Sequence, residues 1–273
     1  NAQIVLWFYF GWKPFNVYFS KIYYMTKTPV HELYVAIQAE GSRAGRPTVV
    51  VRTSGCSHRC FFGEGGWCDA WQSSIHPEKA KYSFEDIIEI YDKNPQIKEM
   101  MLTGGSPTMH PEFVDKMTEF CHDRKLFLTM ETEGSHFVKT TYPIDLISLS
   151  PKFTNSIPAL GIKTPLGKEV DQKFIDQHNK LRLNYDAIFQ LLDYHKDYHY
   201  KPVWGGDEQT LGEIEEFRIL CNIPKEKTFL MPAGDNRETL IVMYKLTMDK
   251  CIELGYNWTG RPHIIAYNKQ RFV

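Results

Sequence analysis

Two alternating patterns of hydrophobic and polar positions organise the chain from residue 30 onward. Short apolar runs typical of strands alternate with longer stretches whose apolar positions recur at helical spacing. The predicted strands cover residues 31–38, 48–53, 98–102, 125–132, 146–149, 187–192, 228–231 and 263–267. The predicted helices cover residues 83–92, 111–124, 169–181, 208–221 and 237–254. This alternation predicts an α/β fold of βα units around a parallel sheet.

Residues typical of helix caps and of loops add detail to these predicted elements. Ser83 is predicted to cap the first helix, with Asp86 at the third helical position forming a near capping box. Residues 153–167 hold two prolines and two glycines, which predicts a surface excursion. Because parallel sheets carry their chemistry at the C-terminal ends of strands, the polar motifs that follow strands are the first candidates for a functional site.

The first 24 residues differ from the rest of the chain. They are rich in aromatic residues, begin without methionine and show no clean period. An extra strand or hairpin is one interpretation, while a signal peptide fits poorly because Lys13 and Pro14 interrupt the apolar run. The interpretation we favour takes Met25 as the natural start. It divides the chain into an extra, non-native segment at 1–24 and a functional domain at 25–273.

Composition narrows the class of protein. The chain has 273 residues, is 42% hydrophobic and carries a formal net charge of -1, which argues against a nucleic-acid surface spread over the protein. Its apolar runs are too short to predict a membrane span. Three of its six cysteines are clustered and three are scattered, which is not a secreted disulfide framework. We therefore expect a reducing compartment and a cytoplasmic location.

The clustered cysteines, Cys56, Cys60 and Cys68, lie on one polar, glycine-rich loop after a predicted strand. Three close thiolates suit zinc or an iron-sulfur cluster. Zinc would need a fourth ligand, for which His58 and His76 are candidates. Three unrelated core cysteines are a third interpretation, which the polarity of the loop disfavours. A four-iron cluster with one open iron needs no fourth protein ligand, so the spacing favours it.

Further polar motifs follow other predicted strands. Gly104-Gly105-Ser106 would let the main chain approach a ligand closely, since glycine has no Cβ. Glu131 and Ser150-Pro151-Lys152 also stand at predicted strand ends. Each motif alone could be an ordinary turn or solvated loop, and their common position at strand ends favours function.

The ordered motifs resemble those of the radical S-adenosylmethionine (SAM) superfamily. Its usual cysteine gaps are three residues and then two, whereas this chain has three and then seven, with Trp67 before the third cysteine. Ser106 stands where the GGEP-type motif commonly has glutamate, and Glu133 stands where the ETNGT-like segment has asparagine. The longer second gap indicates an insertion in residues 61–66, which costs little closure entropy.

Within that superfamily the chain resembles the 7-carboxy-7-deazaguanine synthase family. The resemblance covers residues 30–273. It rests on the ordered set of short motifs Gln38-x-Glu40-Gly41, Gly45-Arg46-Pro47, Arg52 before the first cysteine, Ser150-Pro151-Lys152, Leu230-Met231-Pro232, Arg261-Pro262-His263 and Arg271.

The resemblance implies an incomplete βα barrel, similar to a partial TIM barrel, with about six parallel strands. It implies conversion of 6-carboxy-5,6,7,8-tetrahydropterin to 7-carboxy-7-deazaguanine with loss of ammonia, by a radical that comes from SAM rather than from a catalytic side chain. The expected partners are a flavodoxin- or ferredoxin-type reductant and a second copy of the chain. A glycyl-radical-enzyme activase, a zinc-stapled scaffold and an iron-sulfur carrier remain as alternatives.

The resemblance also assigns residues. Cys56, Cys60 and Cys68 would hold a [4Fe-4S] cluster. The residues expected to bind SAM are Gly104, Gly105, Ser106, Glu131, Ser150, Lys152 and Met231. The residues expected to bind the pterin are Gln38, Glu40, Arg52, Arg261 and His263. The family's third cofactor is Mg²⁺, but here Ala70 replaces a threonine whose hydroxyl would help to hold it.

Overall fold

A computed structural model describes residues 27–273 of the chain. The interpretation of residues 1–24 as a non-native segment, with Met25 as the start, falls outside the described residues. The division into that segment and a domain at 25–273 therefore stays a prediction.

A six-stranded sheet forms the body of the described chain, in the order β1-β2-β3-β4-β5-β6. Its strands are β1 (Val30–Ile37), β2 (Pro47–Thr53), β3 (Glu99–Gly104), β4 (Phe127–Thr132), β5 (Leu146–Leu149) and β6 (Tyr198–Tyr200). Strands β2 to β6 pair in parallel, while β1 pairs with β2 antiparallel. The predicted parallel sheet holds for β2 to β6, and β1 is an antiparallel edge strand. The connection from β1 to β2 comprises only residues 38–46, whereas a parallel pair would need a longer crossover.

Three short strands continue the curve of the sheet. They are β7 (Val203–Trp204), β8 (Phe229–Pro232) and β9 (Asn257–Trp258), which pair in parallel in that order. A single bridge between Tyr200 and Thr228 links them to β6. Within residues 27–273 the strands do not close into a full barrel. The predicted incomplete barrel is confirmed.

Eight helices accompany the strands of the described part. They are α1 (Trp71–Ser74), α2 (Phe84–Lys93), α3 (Pro111–Arg124), α4 (Gln172–Leu181), α5 (Tyr185–Tyr194), α6 (Glu208–Leu220), α7 (Arg237–Leu254) and α8 (Pro262–Tyr267). The predicted capping box of α2 is present, because the side chains of Ser83 and Asp86 each accept from the other's backbone N–H. Buried strand residues such as Val51, Leu102 and Met130 join the helices in one core.

Two predicted strands are helices in the structure. Residues 187–192 belong to α5, where Asn184 caps the first turn by accepting from the N–H of Ala187. Residues 263–267 belong to α8, with Pro262 in its first turn. Both sequences hold a short apolar run, and such a run has no period that separates a strand from a buried helix. The strands β6, β7 and β9 are only two or three residues long, too short for an alternating pattern to appear.

The predicted surface excursion at 153–167 is in part a packed segment. Phe153 is 2% exposed and contacts Phe217 of α6 edge to face. Ser156 donates a hydrogen bond to the carbonyl of Phe153 and is also buried. The proline and glycine content marked the turns correctly but did not reveal this contact. Among residues 27–273, no helix is both long and apolar enough to cross a membrane.

Candidate active site

One cavity collects almost all of the residues that the sequence singled out. It lies at the C-terminal ends of the parallel strands, between the cysteine loop and the last part of the chain. Its wall includes Gln38, Glu40, Arg52, Cys56, Cys60, Cys68, Gly104, Gly105, Glu131, Ser150, Lys152, Met231, Arg261 and His263. Ser106 is the predicted residue that the structure does not bring to this wall; it is fully buried behind it.

The enlarged second gap of the cysteine loop folds as a small hairpin. Phe61 and Trp67 form an antiparallel bridge, and their rings lie 4.9 Å apart between centroids. At the base of the hairpin the N–H of Cys68 donates to the carbonyl of Cys60 over 3.1 Å. Because the inserted residues close on themselves, Cys68 returns beside Cys60 despite the seven residues between them.

The three thiols line one cavity, where Cys60 is buried and Cys56 and Cys68 are half-buried. Burial raises the pKa of Cys60 to about 12 and also raises the pKa values of Cys56 and Cys68. Among residues 27–273, no three His, Cys, Asp or Glu side chains are arranged around a point where a metal ion could sit. In a four-iron cluster each thiolate binds its own iron, so the sulfurs stand further apart than the ligands of one ion. Three thiols in one cavity fit such a cluster with one open iron.

The glycine motif after β3 braces the cysteine loop. The N–H of Ser106 donates to the carbonyl of Gly55 over 2.8 Å, directly before Cys56. A Cβ on Gly105 would lie 2.1 Å from the carbonyl oxygen of Gly55, and one on Gly104 would lie 2.6 Å from the carbonyl oxygen of Thr53. Close backbone approach therefore requires glycine at both positions.

A methyl group at position 105 is expected to displace the cysteine loop. Gly105→Ala should destabilise the protein by about 1–3 kcal/mol through overpacking against backbone that cannot move aside. Iron content after anaerobic reconstitution should fall together with stability, since Cys56 follows the displaced carbonyl. Gly212→Ala is the matched control, because a Cβ there meets nothing within 4 Å. Equal iron content in the two variants would contradict the bracing role.

A chain of ion-paired side chains lines the same cavity. Lys201, which follows β6 and is 3% exposed, donates to Glu40 over 2.5 Å and to Glu131 over 2.7 Å. Arg261 donates to Glu40 over 3.1 Å and also pairs with Asp69. Burial alone would raise the pKa of Glu40, but Lys201 and Arg261 hold that pKa well below its usual range. The wall is therefore fixed and charged at neutral pH.

The sequence analysis did not identify Lys201 or Glu133 as site residues. It also did not identify Asp69 as a partner of Arg261. Lys201 follows a strand too short to be recognised, so no strand end marked it. Asp69 and Glu133 were visible beside the quoted motifs, but their partners lie far away in the sequence.

Arg52 is held from two directions at the edge of the cavity. Its Nε lies 2.7 Å from Glu32, and its Nη1 donates to the carbonyl of Gly104 over 3.5 Å. Glu32 also pairs with Arg271, whose guanidinium reaches Glu78 as well. These contacts fix the last residues of the chain beside Arg52, and Val273 forms part of the cavity wall.

Several buried polar atoms of the cavity-lining residues have no hydrogen-bond partner among the described residues. They include Oε1 of Gln38 and Nδ1 of His263, together with Nε2 of His58. The backbone of Gln38 is fixed by hydrogen bonds with Arg46 and Gly45. Because buried polar groups are nearly always satisfied, these atoms are where a polar ligand would bind.

Comparison with known proteins agrees with this geometry. The Radical SAM superfamily pattern matches residues 50–221, which span the cysteine loop and strands β3 to β6. The open parallel sheet and the three-cysteine loop therefore define a radical SAM enzyme. This class implies a [4Fe-4S] cluster and SAM as cofactors.

Curated relatives narrow the class. The chain is 32% identical over 249 residues to the 7-carboxy-7-deazaguanine synthase of Halobacterium salinarum, covering 88% of this chain and 90% of the relative. It is 29% identical over 242 residues to the enzyme of the same name from Rhodopirellula baltica, covering 89% and 87%. The chain belongs to the 7-carboxy-7-deazaguanine synthase family.

A solved structure shares the fold. QueE from Escherichia coli superposes with a TM-score of 0.54 at 18% sequence identity, covering 85% of this chain and 92% of that one. This likeness supports the partial barrel found here.

Proposed function

We propose that the protein converts 6-carboxy-5,6,7,8-tetrahydropterin to 7-carboxy-7-deazaguanine, with loss of ammonia, in 7-deazapurine biosynthesis. The observation that carries this proposal is the single cavity that joins three thiols to the unpartnered polar atoms of Gln38 and His263. When bound, the reduced cluster and SAM would supply a 5′-deoxyadenosyl radical that removes a hydrogen atom from the substrate. The residues of this chain would bind, orient and shield the reactants.

Cys56, Cys60 and Cys68 are the residues that would hold the cluster. Gly104, Gly105, Glu131, Ser150, Lys152 and Met231 line the same cavity and are the residues proposed to hold SAM. Lys152 is oriented by hydrogen bonds to the carbonyl and hydroxyl of Ser150 at 2.7 and 2.9 Å. This fixes a positive charge in the same cavity as the thiols.

The pterin would bind between Gln38 and His263. An aminopyrimidinone edge presents donors and an acceptor side by side, which the carboxamide of Gln38 and the carboxylate of Glu40 can match. Arg52 offers a guanidinium for the substrate carboxylate, since its planar fork suits two parallel hydrogen bonds. Lys201 and Arg261 would keep Glu40 ionised and in place through the contacts described above.

The residues around Asp69 do not fit Mg²⁺ well. The Asp69 carboxylate is paired with Arg261, and Ala70 has no oxygen to offer an ion that requires near-octahedral oxygen ligation. We therefore propose that turnover depends only weakly on Mg²⁺.

Restoring a hydroxyl at position 70 should change that dependence. Ala70→Thr is expected to increase the response of turnover to Mg²⁺ at low concentration, because it adds an oxygen ligand beside Asp69. Turnover is measured over a Mg²⁺ titration in the native protein and the variant, with Ala70→Val as the control of equal shape. Saturation of the native enzyme at micromolar Mg²⁺, with no effect of Ala70→Thr, would place the ion elsewhere.

Two proposed partners complete the function. A flavodoxin- or ferredoxin-type protein would deliver single electrons to the cluster. A second copy of the chain would form a homodimer, which the exposed apolar side chains of Ile241, Val242 and Ile252 on α7 support. Light scattering of the purified protein measures the oligomeric state directly.

Anaerobic reconstitution, followed by incubation with SAM, reductant and the carboxytetrahydropterin, tests the main proposal. Mass spectrometry should detect 7-carboxy-7-deazaguanine and 5′-deoxyadenosine, both dependent on the pterin. SAM cleavage without the deazaguanine product would favour a different radical SAM substrate. Bound zinc at one per chain and no iron would favour the structural zinc site considered above.

A further inference from the structure

A buried carboxylate beneath the cysteine loop has no role in the function proposed so far. Glu133 is the residue directly after β4, two positions beyond Glu131. Its side chain is 4% exposed and lines the cavity. Ser57, which directly follows Cys56, donates a hydrogen bond to Glu133 over 2.7 Å, and Cys56 lines the same cavity. The carboxylate therefore belongs to the part of the cavity where a ligand of the cluster's open iron would lie.

Two hydroxyl groups hold this carboxylate in one orientation. Ser57 Oγ and Ser106 Oγ each donate to Oε1 of Glu133 over 2.7 Å. Ser57 comes from the cysteine loop and Ser106 from the glycine motif after β3. Since both donors end on the same oxygen, the second oxygen remains for a ligand. A side chain fixed from two elements in this way is pre-organised rather than mobile.

The contact also connects two departures from the superfamily motifs. Ser106 stands at the usual position of a glutamate, yet it is 0% exposed and does not reach the cavity wall. Glu133 stands at the usual position of an asparagine and does reach the wall. The hydrogen bond between them shows that the two changes meet in space. In this chain a carboxylate therefore lies at the end of β4, and a small hydroxyl lies at the end of β3.

The charge around Glu133 indicates what it would bind. Within the described residues the basic side chain near it is His58, with Nδ1 at 3.9 Å, and no lysine or arginine pairs with it. The nearby Lys152 is instead engaged with Ser150. The two serine hydroxyls satisfy Oε1 of this carboxylate, and its remaining acceptor positions suit a ligand that donates N–H groups.

We propose that Glu133 accepts a hydrogen bond from the amino group of SAM, and that Ser106 and Ser57 orient it for this contact. The inference deepens the proposed function, because it rests on SAM binding beside the three cysteines. SAM is the ligand of matching chemistry at this place, since its amino group carries N–H donors and a cluster held by the three cysteines would bind that end of the molecule.

The test measures SAM affinity of the cluster-loaded protein, together with iron content and the change that SAM causes in the spectrum of the reduced cluster. Glu133→Gln keeps the size and an acceptor but removes the charge, so SAM should bind about 10- to 100-fold more weakly while iron content is retained. Ser106→Ala should weaken SAM binding by a smaller factor, of about 3- to 10-fold, because it removes one orienting donor. Glu99→Gln is the control, since it changes a buried carboxylate at the opposite end of β3 that pairs with Arg43. It should leave SAM affinity unchanged.

An exchange variant separates this contact from a merely structural role. Ser106→Glu combined with Glu133→Asn returns the carboxylate to the end of β3, so SAM affinity should recover to within about threefold of native. Native affinity in Glu133→Gln at full iron content would overturn the inference. So would an exchange variant that retains the cluster but binds SAM no better than Glu133→Gln. Failure of the native, cluster-loaded protein to bind SAM would instead reject the proposed function itself.

Discussion

Cys68→Ala is expected to abolish the [4Fe-4S] cluster, its broad visible absorbance and all cleavage of SAM. Only three thiols line the cavity wall in the described part of the chain, so losing one leaves an iron without its protein ligand. Cys68 is the most informative of the three, because its spacing departs from that of the superfamily. The hairpin between Phe61 and Trp67 is the physical reason that this spacing can still place it beside Cys60.

Iron and sulfide content after reconstitution, the visible spectrum and 5′-deoxyadenosine formation measure this outcome. Cys221→Ala is the matched control, since Cys221 is a buried cysteine that lies at the end of α6, away from the cavity. It should keep the cluster and lose only the stability that goes with a small core side chain. A full iron complement in Cys68→Ala would show that another residue holds the third iron.

Local motifs made much of the site predictable. The cysteines, the two glycines and the Gln38-x-Glu40 segment each lie within a few residues of one another, at strand ends that the hydrophobic pattern marks. Parallel strands bring such ends together, so fourteen of the fifteen predicted residues line one cavity. Their individual roles stay proposals that the variants above address.

The features of the site that the sequence did not reveal depend on contacts between residues that are far apart in the chain. Lys201 is separated by 161 residues from Glu40 and by 70 from Glu131, so its importance appears only when β6 pairs with β5. The substitutions at Ser106 and Glu133 were each visible, but their hydrogen bond requires two neighbouring strands. For residues 187–192, the cap supplied by Asn184 and packing around α5 decided in favour of a helix.

Lys201→Met should remove substrate turnover and destabilise the protein by about 3–5 kcal/mol. Methionine preserves most of the side-chain volume but leaves Glu40 and Glu131 without the ammonium that both contact. Two half-buried carboxylates then lose the cation that lies between them, which favours protonation or displacement of Glu40 from the position proposed to bind the pterin. Arg261 still contacts Glu40, so some of the wall should persist.

The matched control is Lys227→Met, because Lys227 forms an ion pair of 2.6 Å with Asp197 in a far more exposed setting. Exposed pairs contribute only about 0–1 kcal/mol, so that variant should unfold and turn over almost as the native protein does. Denaturant unfolding gives the stability of each variant, and steady-state kinetics separates substrate binding from turnover. Adding Glu40→Gln to Lys201→Met should recover part of the lost stability, since it removes one of the two carboxylate charges that Lys201 contacted, but it should not recover turnover. If Lys201→Met unfolds at the same denaturant concentration as Lys227→Met and retains turnover, the charged wall is not what positions Glu40.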